Sequence, residues 1–138
     1  MYNKKAKFNY ELLDKFTAGI MLNGREVKAI REDKLSFGDS FCVVSNGGVF
    51  LKKLHISIKD AGESETMRDR KLLLNRKEIE KLDKSMREKG LTIVPIGIYV
   101  NKTGLIKVDI HLARGKNAVN KKESIKEKDL KREQSKGL

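Results

Sequence analysis

Apolar and polar positions along this chain fall in short blocks whose period changes several times. Residues 16–22 carry Phe16, Ile20 and Leu22 and read as a strand, with Gly19 inside it as a place for a bend or a close approach. Asn23-Gly24 breaks that strand. Val27 and Ile30, three apart among Arg25, Glu26, Lys28 and Arg31, predict a short helix with one buried edge. Residues 41–44 and 49–56 flank Ser45-Asn46-Gly47-Gly48, which predicts a hairpin because Asn and Gly both tolerate positive φ. Residues 59–70 are polar and without period, and predict a mobile loop.

Leu72-Leu73-Leu74 reads as a short buried run. Asn75 and Glu78 have the N-cap and third-position residues of a helix start. Ile79, Leu82 and Met86 keep one face, and Gly90 stands where a left-handed cap belongs. Residues 91–100 and 105–112 predict two strands around the turn Asn101-Lys102-Thr103-Gly104. Pro95 removes one ladder donor, so its strand should lie at an edge or carry a bulge. The fold class that follows is mainly β with some α: a small antiparallel barrel of the oligonucleotide-binding type, with flanking short helices and a disordered basic C-terminal tail. A half-open sandwich would share the same pattern.

The tail is the part that changes the picture most. Residues 115–138 hold eight Lys or Arg against four Asp or Glu, and their apolar Val119, Ile125 and Leu130 share no helical stripe. Such a segment cannot bury enough apolar surface to offset its ordering entropy. Yet Ser124 and Glu127 match a capping box, and Glu127 with Lys131 is a favourable i,i+4 pair. A helix-favouring segment without an apolar face needs a partner, and its positive charge makes that partner anionic. Three regions result: a basic arm at 1–7, an RNA-binding barrel at 8–114, and a basic tail at 115–138.

Charge supports the same reading. The chain of 138 residues carries a net +12, with 31 basic against 19 acidic residues. Nucleic acid is the partner that such an excess fits best. Lys outnumbers Arg 23 to 8, which favours point-charge phosphate contacts over bidentate base contacts. The longest apolar-leaning run, 91–100, falls well short of the roughly 20 residues a membrane helix needs. No apolar region follows the charged N-terminus, and the lone Cys42 fits a reducing compartment, so a cytoplasmic protein is expected.

Little in the sequence points to bond-making chemistry. His55 and His111 lack the partners of a zinc or acid–base set, and no Walker-type loop follows Gly47-Gly48. No metal, cofactor or enzymatic activity is therefore expected. Cys42, between Phe41 and Val43, reads as core. The carboxylates read as surface ion-pair partners, except Glu26, which lies among cations and could orient Arg25 or Lys28 toward phosphate. Basic clusters carry more weight. Lys4, Lys5 and Lys7 alternate with Tyr2, Phe8 and Tyr10, which joins phosphate charge to rings able to stack on bases. At the junction of body and tail, Gly115 would let the chain turn away while Arg114 and Lys116 hold a backbone.

These blocks, taken in order, resemble the small protein B family, the SsrA-binding (transfer-messenger RNA-binding) proteins of bacterial trans-translation. The similarity is carried by Asn3 to Lys7, by Phe16-Thr17-Ala18-Gly19-Ile20 and by Leu22 to Lys28. Asp39-Ser40, Asn46-Gly47, His55-Ile56, Arg70 to Asn75, Lys107-Val108, Leu112 to Lys116 and Ile125 to Asp129 continue it. Thr17 stands where the family usually has Glu, Phe8 where His is common, and Val119 where His or Tyr is carried.

The resemblance implies an adaptor that binds the tRNA-like domain of transfer-messenger RNA. It would enter a stalled ribosome with that RNA, helped by elongation factor Tu and GTP, as a monomer and away from any membrane. The tail would turn helical in the empty 16S rRNA decoding centre and mRNA channel. With the residue reading, it places transfer-messenger RNA on Asn3, Lys4, Lys5, Lys7, Tyr10, Glu26, Lys28, His55, Leu73, Lys107 and Arg114. The ribosome would be met by Gly115, Lys116, Val119, Lys121, Lys122, Lys126, Lys128, Lys131 and Arg132. The rival reading is a ribosomal or ribosome-assembly protein with an rRNA-threading tail.

Overall fold

The short blocks of the sequence close into a barrel. The structure, a computed structural model, describes residues 1–115. The tail's expected disorder and induced helix therefore lie outside the described residues, as do Lys116, Val119, Lys121, Lys122, Lys126, Lys128, Lys131 and Arg132. The first half runs α1 (Lys4–Asn9), β1 (Tyr10–Ile20), α2 (Gly24–Arg31), β2 (Leu35–Ser36), β3 (Phe41–Ser45), β4 (Gly48–Lys52) and β5 (His55–Ile56). The second half runs α3 (Glu63–Thr66), β6 (Arg70–Leu73), α4 (Arg76–Lys89), β7 (Thr92–Val100) and β8 (Ile106–Gly115). Six strands form a closed antiparallel barrel in the order β1-β6-β4-β3-β7-β8, and β2 pairs with β5 in a separate small ribbon. Closure removes the free edges that a half-open sandwich would leave.

Turn and cap chemistry is where the sequence fixes local structure. Asn46 at φ 50° and Gly47 at φ 75° make the turn between β3 and β4. Asn23 and Asn75 each complete a capping box, with Glu26 and Glu78 respectively, and Gly90 closes α4 in the left-handed region at φ 65°. Leu82 of α4 is fully buried and joins Leu51, Ile93 and Leu112 in the main core.

Several elements depart from the sequence reading, α1 and β2 among them, which it did not contain. β1 begins at Tyr10 rather than at 16, because residues 10–12 pair with 113–115 of β8 before a register shift between Leu12 and Lys15. Polar Glu11, Asp14 and Lys15 interrupt the apolar pattern there and hide the strand. The single run at 49–56 is two strands, since Lys53 turns at φ 63° and releases His55 and Ile56 to pair with Ser36 and Leu35. The loop at 59–70 holds the short α3, and its end, Arg70, is fully buried.

Pro95 lies in β7 beyond Ile93, the residue that pairs with Cys42 of β3, so β3 does not reach it, and the register of β7 against β8 shifts between Pro95 and Gly97. Both devices expected are present, a side that no barrel strand pairs and a bulge against β8. The bulge also exposes the Pro95 carbonyl to a new donor, the Asn3 side chain, at 2.9 Å. Residues 1–7 are accordingly docked on the barrel. Asn3 N donates to Ile96 O at 2.7 Å, Tyr2 bridges to Gly97, and Ala6 packs with Val94, Ile96 and Ala113 in a small core of its own.

Candidate nucleic-acid interface

α2 is the centre of the charged face, and a buried ion cluster fixes it there. Glu26 is fully buried and accepts from Arg70 Nε at 2.8 Å and Arg68 Nε at 2.8 Å, besides the Asn23 amide at 3.0 Å. Arg70, also fully buried, spends its remaining donors on Leu54 O at 2.6 Å and Thr66 O at 3.0 Å. Burial by itself would raise the Glu26 pKa. Hydrogen bonds from Arg68, the Asn23 amide and Arg70 outweigh it and hold the carboxyl below its ordinary range. Burial lowers the Arg70 pKa, and Glu26 opposes that shift. The cluster ties α2 to β6, to the link between β4 and β5, and to α3 at once.

This corrects the sequence reading of Glu26. Its carboxylate turns inward and holds Arg68 and Arg70, whereas Arg25 instead pairs with Glu65 at 2.7 Å and donates to Lys59 O. Lys28, two positions after Glu26, stays exposed. Arg70 was not singled out because a buried arginine in a polar stretch has no one-dimensional signature. Glu26 as N3 of a capping box was the one available signal, and it points to structure.

Two surfaces flank α2. On one side a hollow of about 280 Å³ is lined by Gly19, Leu22, Val27, Leu73, Leu105 and Lys107. Leu73 and Leu105 are 51% and 59% exposed, so the floor is apolar and open. Gly19 pairs with Leu73 and with Lys107, which brings two sequence-predicted residues to one spot. Arg31 donates to Gly104 O at 3.1 Å and fastens α2 to the rim of this hollow. On the other side, two adjoining hollows of about 640 and 500 Å³ share Lys34, Ser57, Ile58 and Lys59. His55 lines the first and Lys28 the second. Lys34 and Lys59 went unmarked in the sequence because they sit in separate segments that only the β2–β5 ribbon brings together.

The ion pairs among the described residues leave Lys28, Lys59 and Lys107 out. Their charge is available to a partner. The face therefore offers a groove where Lys28 and Lys59 stand beside Glu32, Asp60 and Glu63, a rigid ridge, and an apolar hollow with one cation on its rim, which suits structured RNA read through phosphate and shape.

The remaining predicted residues lie elsewhere. Asn3 is buried and serves as a clamp on Pro95 and a cap on Ala6. Lys5 pairs with Asp39 at 2.7 Å, while Lys4 and Lys7 are exposed on α1. Tyr10 is half-buried and pairs with Gly115, and Arg114 pairs with Glu11 at 3.0 Å. Gly115 is thus still within the barrel ladder. Thr17, at the position where the resemblance leads one to look for Glu, donates to Asp109 Oδ1 at 2.9 Å. A carboxylate therefore occupies that spot from the neighbouring strand, and Tyr99 donates to it as well, at 3.2 Å.

The two histidines are apart. His111 Nδ1 lies 3.0 Å from Leu13 O, and His55 borders the groove. Among the described residues no three His, Cys, Asp or Glu side chains gather as a metal site, and no helix is long and apolar enough to cross a membrane. Cys42 is fully buried, and burial pushes its thiol pKa up.

Comparison with known proteins agrees with this geometry. The family model described as SmpB protein matches residues 1–138. The SsrA-binding protein of Bacteroides thetaiotaomicron is 46% identical over 134 residues, covering 95% of this chain and 89% of that one. Its counterpart in Acholeplasma laidlawii is 48% identical over 139 residues, covering 99% and 93%. A solved chain described under "tmRNA-SmpB: a journey to the center of the bacterial ribosome" superposes with a TM-score of 0.73 at 38% identity, covering 96% and 94%.

Proposed function

Because this chain belongs to the SmpB protein family, we propose that it is the RNA-binding adaptor of trans-translation in its cell. The barrel binds the tRNA-like domain of transfer-messenger RNA with the α2 face. Lys28 and the groove beside it hold phosphates, and the hollow at Leu73 and Lys107 takes the exposed edge of the RNA elbow. The tail from Gly115 onward occupies the empty decoding site and mRNA channel of a stalled ribosome, in place of codon–anticodon pairing. Elongation factor Tu with GTP acts on the charged RNA during delivery, and the protein works as a monomer in the cytoplasm. Its role is placement, with no bond made or broken.

The observation that carries this reading is the rigidity of the charged ridge. The buried Glu26–Arg70 pair, closed by Arg68, positions α2 so that its own Lys28 borders the groove on one side while Lys107 stands at the hollow on the other, neither in an ion pair among the described residues. A preformed surface loses little ordering entropy on binding. The tail is argued separately from its charge: eight basic residues allow up to about eight phosphate contacts, and half of them would give a log–log salt slope on the order of −3.

Deleting residues 115–138 tests the division of labour. Affinity for transfer-messenger RNA should stay within about tenfold of the full chain, while peptide tagging on stalled ribosomes should vanish. Loss of RNA binding on deletion would refute a two-part molecule. Sequencing of RNA crosslinked in cells separates the rival: one dominant tRNA-like species supports the adaptor, and scattered rRNA fragments support a resident ribosomal protein.

A further inference from the structure

Within the groove beside α2, one cation is already covered by an acid of the chain itself. Arg25, in the first turn of α2, donates from Nη1 to Glu65 Oε2 at 2.7 Å and from Nη2 to the Lys59 carbonyl. Glu65 lies in α3, forty residues further along the chain. We infer that Arg25 is a further phosphate-binding residue for the RNA, held in reserve by Glu65, whose carboxylate stands where a phosphate comes to stand and is displaced by it. This rests on the function proposed above, because it takes the α2 face to be the one that meets transfer-messenger RNA.

Geometry is the first argument. Arg25 and Lys28 stand three apart on α2, which makes them neighbours on one side of the helix, and both line the same hollow of about 500 Å³. A phosphodiester entering that hollow meets Lys28 uncovered and Arg25 covered. The Lys59 carbonyl orients the guanidinium before RNA arrives, so Nη1 has only to exchange one anionic acceptor for another. The side chains of Arg25 and Glu65 are 52% and 34% exposed, which leaves the pair open to a competing anion.

The way α3 is held is the second. Arg70 donates to the main-chain carbonyls of Glu65 at 3.3 Å and Thr66 at 3.0 Å, and Thr66 is itself buried. The backbone of α3 therefore keeps its seat when the Glu65 carboxylate lets go. What is given up is one partly exposed ion pair, a small contribution in water. Glu26, the next residue of α2, makes the contrast: its carboxylate is fully buried between two arginines, beyond the reach of any outside anion. Of the two ionic links between α2 and the segment 65–70, one is locked and the other is exchangeable. Until the exchange, Glu65 cancels one charge of a chain that carries a net +12, which weakens its hold on RNA that cannot place a phosphate in the hollow.

The test titrates transfer-messenger RNA with the full chain as wild type, Arg25→Gln, Glu65→Gln and the double variant, at several salt concentrations. Arg25→Gln should weaken binding by about fivefold and make the log–log salt slope shallower by about 0.9, for one lost phosphate contact. Glu65→Gln should strengthen binding by about threefold, the scale of an exposed ion pair. The double variant should bind like Arg25→Gln alone, since no guanidinium is left to release. An Arg25→Gln variant that binds like wild type overturns the inference. So does a Glu65→Gln gain that persists in the double variant, because Glu65 would then act only as a repelling charge. Glu63→Gln keeps the inference falsifiable if Arg25→Gln fails to fold. Glu63 is exposed two residues away and joins no ion pair among the described residues. Its removal should leave affinity within about twofold, and a gain equal to that of Glu65→Gln overturns the inference. Lys28→Glu with Lys107→Glu is the separate arm. Full affinity in that variant means that the α2-face assignment itself fails. Weak binding there, with Arg25 and Glu65 variants that behave as wild type, means that only the exchange at Arg25 fails.

Discussion

The two basic helices of this protein are fastened to the same barrel by opposite means. α2 is held from beneath by a buried carboxylate and two arginines, with no atom of Glu26 left to solvent. α1 is held by one alanine in a small apolar core and by an asparagine clamped on a strand bulge. An ionic anchor of this kind fixes direction, since each donor has one acceptor, but it is intolerant of losing a member. The apolar anchor of α1 is weaker and more forgiving. The recognition surface proposed here, with Lys28 on α2 and Lys107 on β8 at set positions, suits the first device. A helix packed beside the end of β8 can work with the second.

The contrast is broken most severely at Glu26. Glu26→Gln should cost about 3–5 kcal/mol in chemical denaturation, because it leaves Arg70 buried without its counter-charge. A cost below about 1 kcal/mol would show that the cluster does not anchor α2. Acid should reproduce part of this effect. The Glu26 pKa is lowered in the folded state from an ordinary 4.5, so the unfolded chain binds the proton more readily. Its contribution is complete above that ordinary value and is lost as pH falls through the lower folded one. Wild type should therefore lose stability more steeply below about pH 4.5 than Glu26→Gln does.

Charge reversal at the ridge comes next. Lys107→Glu should weaken transfer-messenger RNA binding by about tenfold or more, roughly 1.4 kcal/mol, and make the salt slope shallower by about 1, with melting unchanged. A loss that persists unaltered at high salt would mean that Lys107 acts through packing. The smallest effect should come from the α1 anchor. A Cβ at Gly97 would already touch the Tyr2 ring at 3.4 Å, so the further γ-methyls of Gly97→Val should displace residues 1–3 while the barrel still folds. Faster amide exchange confined to residues 1–9 would be the signature, and a change spread over the whole barrel would deny α1 its separate core.

The elements that local chemistry dictates were legible in the chain. Asn75 with Glu78, Gly90, and Asn46-Gly47 announced their helix and hairpin, because caps and turns depend on neighbours three or four residues away. Leu73 and Lys107 were legible as candidates through family resemblance, although nothing in their spacing said that Gly19 lies between them. Arg70 and Asp109 were not legible. Arg70 ends a polar loop and Asp109 sits in an ordinary alternating strand, yet one is fully buried and the other takes hydrogen bonds from Thr17 and Tyr99. The partners of both are tens of residues away.

By itself, then, the sequence determined α2, α4, the hairpins of β3 with β4 and β7 with β8, and the positive charge, all of which follow from local composition and period. Only tertiary structure decided that the wall closes, that Glu26 faces inward, and that α1 stands beside the end of β8, at the far end of β1 from Lys107. Those outcomes depend on strand register and on desolvating charges together. Both are properties of residue pairs distant in the chain, and no window of neighbouring residues contains them.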